Sequence, residues 1–321
     1  MNGRSKILVI KLGALGDFIQ ALGPMAAIRR HHKDADITLL TTEPFANLGR
    51  SCGYFNHVLT DGRPRWHNLK GWLELRAKLN GGYFSRVYDL QNNGRTEFYL
   101  KLIRPRPEWV GAAKGASHRN DSPSRTAGNA WEGHIQTLRL AGIEDVALDD
   151  LSWISGSAER FNLPRPCILL IPGSAPGRPE KRWPAKNFGT LARIIDGWGF
   201  TPVILGTAGE ADLASSIRAV FPRAVDLTGQ TSLADIVLLA RQAAASIGND
   251  TGPMHLIAAT GCPSYVLFSR HSNPARHAPI GAHVKTIQAN DLADLSPEQL
   301  VENLHARDFR KTDQKPVLSG R

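Results

Sequence analysis

The chain has 321 residues, 42% of them hydrophobic and 21% charged, which suits a soluble protein with a substantial core and enough length for two α/β domains. No apolar run approaches the roughly 18–20 residues needed to span a bilayer, and Met1 to Lys6 leads straight into a strand with no signal-peptide core, so a cytosolic protein is expected. A formal net charge of +10 points to an anionic partner such as a phosphorylated substrate or an anionic membrane surface. Nucleic acid ranks last, because the cations are scattered and no nucleic-acid motif is present.

In chain order, short apolar runs alternate with amphipathic stretches. Residues 7–12, 36–40, 57–59 and 86–90 read as strands, and 17–31, 43–52, 66–79 and 95–103 as helices; 109–111 is a further short strand. That alternation predicts a parallel sheet covered on both faces. Residues 112–129 break the pattern with Gly, Ser, Asn and Pro around Lys114, Arg119 and Arg125. A loop of that length in a compact domain is functional or disordered, and it is read as a mobile basic loop that holds an anionic acceptor, with plain disorder as the alternative. A helix follows at 131–141, and 149–166 reads as the connection between domains.

The alternation then restarts. Strands are expected at 167–171, 202–205, 224–227, 244–247, 264–268 and 283–287, with helices at 185–197, 210–220, 233–241, 255–260 and 297–307. The polar tail 311–321 reads as disordered. Cys52, Cys167 and Cys262 are odd in number and far apart, fit neither a zinc spacing nor a disulfide framework, and read as buried apolar residues. Pattern alone gives two doubly wound domains facing each other across a cleft.

Four loops at strand C-termini carry the candidate chemistry. Gly13-Ala14-Leu15-Gly16-Asp17 follows the first strand; its glycines permit a tight turn and close approach to a ligand. Asp17 is either an N-terminal cap or a carboxylate that takes a proton from an attacking hydroxyl. The loop lacks the middle glycine of the dinucleotide fingerprint and the Gly-Lys-Ser/Thr ending of a P-loop. The second loop runs from Pro172-Gly173-Ser174 to Lys181-Arg182-Trp183-Pro184. Its backbone amides with Lys181 and Arg182 suit a diphosphate, against the alternative of a solvated surface loop. In Gly206-Thr207-Ala208-Gly209-Glu210 the carboxylate of Glu210 is either a ribose ligand or a first-turn helix acid. The fourth, Gly248-Asn249-Asp250-Thr251-Gly252-Pro253-Met254-His255, gathers a carboxylate, a hydroxyl and a glycine at a strand end and a helix start, where phosphate is favoured. There Asn249 or Asp250 as a helix N-cap is the structural alternative.

Together these segments resemble glycosyltransferase family 9, the ADP-heptose:lipopolysaccharide heptosyltransferases and their relatives. The resemblance rests on Gly13, Gly16 and Asp17 after the first strand, on Pro172, Gly173 and Lys181 to Pro184, on Leu227-Thr228-Gly229-Gln230-Thr231-Ser232-Leu233, and on Asn249-Asp250-Thr251-Gly252 with His255. It implies a GT-B fold, with an N-terminal Rossmann-like acceptor-binding domain over 1–158, a C-terminal nucleotide-sugar-binding domain over 159–310 whose last helix crosses back to the first, and a tail over 311–321. It implies an inverting, metal-independent transfer, with no cofactor and a nucleotide sugar, ADP-linked, as donor. In that picture Asp17 is the general base and Lys181 offsets charge on the departing diphosphate. Gly173, Ser174, Arg182, Glu210, Asp250, Thr251, Gly252 and His255 bind the donor, with Glu210 on the ribose. Gly13, Gly16, Lys114, Arg119 and Arg125 belong to the acceptor side. The acceptor is expected to be an anionic glycolipid of the lipopolysaccharide core, met by peripheral contact at the cytoplasmic face of the inner membrane. Other readings are a GT-B epimerase or hydrolase, a non-catalytic nucleotide-binding module and, least well matched, a Rossmann dehydrogenase. The chain departs from the family at Ser269-Arg270-His271-Ser272-Asn273, where a Gly-Pro turn is usual, and this bears on donor-sugar specificity.

Overall fold

The computed structural model describes residues 4–164, 166–175 and 177–304. The chain forms two compact units, Met1–Ile154 and Ser155–Arg321. Each is built on one six-stranded sheet whose paired strands all run parallel.

In the first unit, β1 (Lys6–Ile10), β2 (Asp36–Thr41), β3 (His57–Thr60), β4 (Arg86–Asp89), β5 (Glu108–Gly111) and β6 (His118–Arg119) lie side by side in the order β3-β2-β1-β4-β5-β6. Helices α1 (Leu15–His31), α2 (Glu43–Ser51), α3 (Leu69–Gly81), α4 (Gly94–Leu102) and α5 (Ala130–Arg139) connect or flank them. Ile7, Leu8, Val9 and Ile10 are wholly buried, because β1 is flanked by β2 and β4 and covered on both faces; this is why it reads as a continuous apolar run and not as an alternating one.

The second unit repeats the plan with β7 (Cys167–Ile171), β8 (Thr201–Ile204), β9 (Val225–Asp226), β10 (Ala245–Asn249), β11 (Ser264–Phe268) and β12 (Val284–Gln288), in the order β12-β11-β10-β7-β8-β9. Its helices are α6 (Ala185–Gly197), α7 (Ala211–Val220), α8 (Leu233–Ala240), α9 (Gly252–Ala259), the short α10 (Pro274–His277) and α11 (Pro297–Glu302). In both units the strand order reverses beside the first strand, between β1 and β4 and between β7 and β10. Loops leave such a point in opposite directions and open a crevice at the strand C-termini. Ile10 pairs with Asp89 and Ile171 with Gly248 at those two points.

Several expectations are corrected. Residues 112–129 are not wholly irregular: His118 and Arg119 form β6 against Val110 and Gly111, and Pro123–Thr126 is a 3-10 turn capped by the Ser122 hydroxyl. Helix α3 starts at Leu69, not 66, because the Asn68 side chain accepts from Gly71 N and caps it there. Helix α9 starts at Gly252, not 255, since Pro253 fits the first turn, where its missing N–H costs nothing. Helix α11 packs on the second unit's core through Leu300. Helix α11 ends at Glu302 with Asn303 as its C-cap, short of the expected 307, and residues 305–307, the tail 311–321 and Pro176 of the glycine loop lie outside the described residues.

The core of the second unit touches its candidate site through Phe188 on α6, which is fully buried and stands edge-on to Trp183, ring centroids 4.9 Å apart. Phe188→Ala is expected to cost about 3–5 kcal/mol, read as a lowered denaturant midpoint.

Candidate functional site

The C-terminal edge of the first sheet is closed by the Gly13 loop. Gly13 has φ +119°, and a Cβ there would strike the Phe45 ring, so a side chain is excluded on two grounds. The loop is pinned on both sides. Leu12 N donates to Gln91 Oε1 at 2.8 Å, and Leu12 O accepts from Thr42 Oγ1 at 2.9 Å and from an Arg63 guanidinium nitrogen at 2.8 Å. Helix α1 begins at Leu15 with Ala14 as its N-cap and no side-chain cap bond. Asp17 is therefore not the cap: it sits inside the first turn, half-buried. Gly16, beside it, is buried.

Beneath this loop lies a buried polar group that local pattern reading missed. Lys11 is 3% exposed and its ammonium donates to Leu90 O at 3.0 Å. Burial lowers its pKa, while the Asp17 and Asp89 carboxylates favour the charged form. Asp89, at the end of β4, is 1% exposed. Its Oδ1 accepts from Gln91 N and Asn92 N, its Oδ2 has no hydrogen-bond partner, and burial pushes its pKa up to about 6. His134 on α5 is likewise buried with Nε2 unpartnered; burial, then the charges of Lys11 and Arg125, hold it well below the usual histidine pKa.

The three basic residues expected to act together face different neighbours. Lys114 is exposed with its backbone N–H on Glu97 Oε1 of α4. Arg119 pairs with Asp121 at 3.3 Å. Arg125 is half-buried near His134 of α5.

In the second unit the crevice between β7 and β10 is built around Asn249, which is fully buried. Its Oδ1 accepts from Trp183 N at 2.9 Å and its Nδ2 donates to Pro172 O at 2.8 Å. One carboxamide thus ties both ends of the glycine loop to the neighbouring strand. Trp183 Nε1 donates to Leu295 O at 2.8 Å, which seats the loop's C-terminal end.

Held this way, Lys181 reaches Asp250: Nζ lies 2.7 Å from Oδ2 and 3.1 Å from Ser272 Oγ, and Ser272 Oγ donates to the same Asp250 oxygen at 2.5 Å. Lys181 is 14% and Asp250 9% exposed at the side chain. Arg182 Nε donates to Ser174 Oγ at 2.9 Å, and that hydroxyl donates to Arg178 O. Thr251, not Asn249 or Asp250, is the N-cap of α9, and its hydroxyl makes no cap bond. The first-turn N–H groups beside Gly252 are therefore not closed off by a side chain. His255 is buried on the same helix. Glu210 takes up its structural role, accepting from Thr207 N at 2.7 Å and Thr207 Oγ1 at 3.0 Å in a capping box. It also lies against Gly173, where any Cβ would overlap its carboxylate.

The second unit thus brings Lys181, Asp250, Thr251 and Gly252 to the crevice, with Arg182 and Ser174 bonded to each other in the same loop. Ser272 was missed as a participant although its segment stood out as a departure from the family pattern. Arg270 is exposed, and the carbonyl of His271 accepts from Arg178. Among the described residues, no three His, Cys, Asp or Glu side chains are grouped so as to hold a metal ion.

Residues 136–304, more than half of the chain, match glycosyltransferase family 9 (heptosyltransferase). Lipooligosaccharide heptosyltransferase 2 of Haemophilus influenzae is 28% identical over 164 residues, or 44% of this chain and 47% of that protein; the chain matches about half the length of such curated relatives. Among solved structures, the family 9 glycosyl transferase from Veillonella parvula superposes with a TM-score of 0.80 at 21% identity, covering 96% of this chain and 97% of that one. The E. coli ADP-heptose lps heptosyltransferase II superposes with a TM-score of 0.77 at 20% identity, covering 96% and 100%. These likenesses show the fold, the α/β GT-B type with two Rossmann-like units.

The Asp89 environment has a measurable consequence. The folded-state carboxyl keeps its proton to about pH 6, against an ordinary value of 3.8. Between those values the folded state binds more protons than the unfolded, so this group makes stability fall as pH rises through that window. Asp89→Asn is expected to flatten that part of the stability profile, measured by denaturant unfolding across it; an unchanged slope would remove Asp89 as its source.

Proposed function

The chain belongs to glycosyltransferase family 9 (heptosyltransferase), and from that membership we propose that it is an inverting, metal-independent glycosyltransferase. Its donor is a nucleotide-diphosphate sugar, ADP-heptose, and its acceptor an anionic glycolipid of the lipopolysaccharide core or a related surface glycan. The observation that carries this reading is the Lys181–Asp250–Ser272 group beside the N-terminus of α9. An ammonium and backbone amides converging at a sheet switch point are the donor set a diphosphate needs.

In the proposed reaction the Asp17 carboxylate removes the proton of the acceptor hydroxyl. The oxygen attacks the anomeric carbon from the face opposite the nucleotide, the bond to the diphosphate oxygen breaks, and the configuration inverts. Lys181 bonds a carboxylate and a hydroxyl at once, so turning one of these bonds to the diphosphate loses little hydrogen bonding. There it stabilises charge that grows as the bond breaks. Asp250 and Ser272 hold the ammonium in position, and Asp250 and His255 contact the donor sugar or phosphate. Glu210 meets the ribose with the oxygen that Thr207 does not use. In the first unit, Gly13 and Gly16 let acceptor approach Asp17, and Lys114, Arg119 and Arg125 contribute positive field toward an anionic acceptor. The donor named for the E. coli structural neighbour supports ADP-heptose as substrate, and the net charge of +10 supports peripheral association with the cytoplasmic membrane face.

The test is incubation of the purified protein with ADP-heptose and a heptose-free core oligosaccharide, read by mass spectrometry. A product heavier by one heptose, with ADP released only when acceptor is present, is expected. Release or rearrangement of the sugar without acceptor would replace transfer by hydrolysis or epimerisation. Asp17→Ala is expected to slow transfer by about 10²–10⁴-fold while leaving donor affinity within about twofold; retained turnover would show that another group is the base.

A further inference from the structure

The outer side of α3 and its flanks carries the first unit's largest exposed apolar groups. Trp66 is 82%, Leu69 71%, Leu73 55% and Tyr83 72% exposed. Leu69 and Leu73 stand one turn apart and share a helix face, while Leu75 and Leu79 on another face are buried. Trp72, packed edge-on against Phe98 at 5.2 Å, anchors the helix further, so the outward stripe is presented on a rigid element. Tyr83 lies in one shallow surface depression with Leu73, Arg76 and Arg104.

The charges around the stripe are predominantly positive. Arg65, Lys70, Arg76 and Arg104 are all exposed, and between residues 62 and 84 Glu74 is the single carboxylate. Glu74 lies 4.0 Å from Lys70 with both side chains largely exposed, a pairing that water weakens. Apolar side chains rimmed by cations, with Trp and Tyr among them, match the chemistry of a bilayer interface: acyl boundary below, anionic headgroups at the rim. A protein partner of ordinary size needs a contiguous patch of about 800 Å² per side with few charges at its centre, whereas here Lys70 and Arg76 interrupt the stripe. No described helix is long and apolar enough to cross a membrane, which leaves surface attachment.

We propose that the α3 face, with Trp66, Leu69, Leu73 and Tyr83 inserted at the interface and Lys70, Arg76 and Arg104 on the headgroups, docks the protein on an anionic phospholipid bilayer. This gives the surface on which the proposed glycolipid acceptor is met, and so it deepens that reading. Vesicle binding is measured without donor or acceptor, so failure of docking and failure of transfer are read separately.

The experiment is co-sedimentation of the full chain with vesicles of phosphatidylglycerol and phosphatidylethanolamine in equal parts, beside vesicles of phosphatidylcholine alone. Wild type is expected to sediment with the anionic vesicles, to favour them over the neutral ones, and to be released by high salt. The double change Trp66→Ser and Leu73→Ser is expected to weaken binding at least about tenfold. Lys70→Gln and Arg76→Gln are each expected to weaken it about fivefold. All four side chains are exposed, so the variants should melt with wild type and retain activity on a water-soluble acceptor. Absence of wild-type binding, equal binding to neutral vesicles, or undiminished binding of the variants would overturn the proposal. So would a wild-type dimer in sedimentation velocity that the double variant dissolves, since a second copy would then cover this face.

Discussion

The buried carboxamide of Asn249 is the interaction on which the second unit's site depends. It lies on the strand beside β7 and uses both of its ends on the loop that follows β7: Oδ1 takes the Trp183 N–H and Nδ2 serves the Pro172 carbonyl. Both bonds are out of water, so each absent partner would leave a buried polar group unmet, at a cost of about 1–3 kcal/mol. The loop between these clamps carries a glycine at 177 with positive φ and has little regular structure of its own. Its two fixed ends, with the Ser174, Arg178 and Arg182 bonds between them, bring Lys181 to Asp250.

The first unit solves the same problem with a related device. There the Gln91 carbonyl, in the loop after β4, accepts from Leu12 N in the loop after β1. In both sheets a side-chain amide ties the loop after the first strand to the neighbouring chain across the strand-order reversal, from a loop in the first unit and from the end of β10 in the second. The units then differ in what they hold. The second presents an ammonium beside a helix start. The first buries an ammonium, a carboxylate of raised pKa and a neutral histidine below Asp17. Burial lowers the Lys11 pKa, and the Asp17 and Asp89 carboxylates oppose that shift.

Much of this was legible in the sequence, for identifiable reasons. The strands were readable because a parallel sheet covered on both faces demands continuous apolar runs such as Ile7 to Ile10, and the glycine loops at strand ends were readable because glycine and lysine cluster after those runs. What escaped was long-range. Ser272 meets Lys181 across 91 positions and Asn249 meets Trp183 across 66, contacts that no local period encodes. Helix starts were misplaced where one side chain decides them, as Asn68 does for α3. The stretch 112–129 read as an irregular basic loop because its composition is turn-like, yet β6 and the 3-10 turn at Pro123 are satisfied by pairing with β5 and by Ser122. Of the two roles left open for Glu210 the structural one is seen: its capping bonds use one carboxylate oxygen, and the other lies against Gly173.

The proposed role of Lys181 is recognition of a diphosphate. Calorimetric titration of ADP and AMP into wild type and into Lys181→Ala tests this most directly. That role predicts that wild type binds ADP at least about tenfold more tightly than AMP, and that the advantage shrinks to about twofold or less in the variant. An ADP-to-AMP ratio that the substitution leaves unchanged would contradict it.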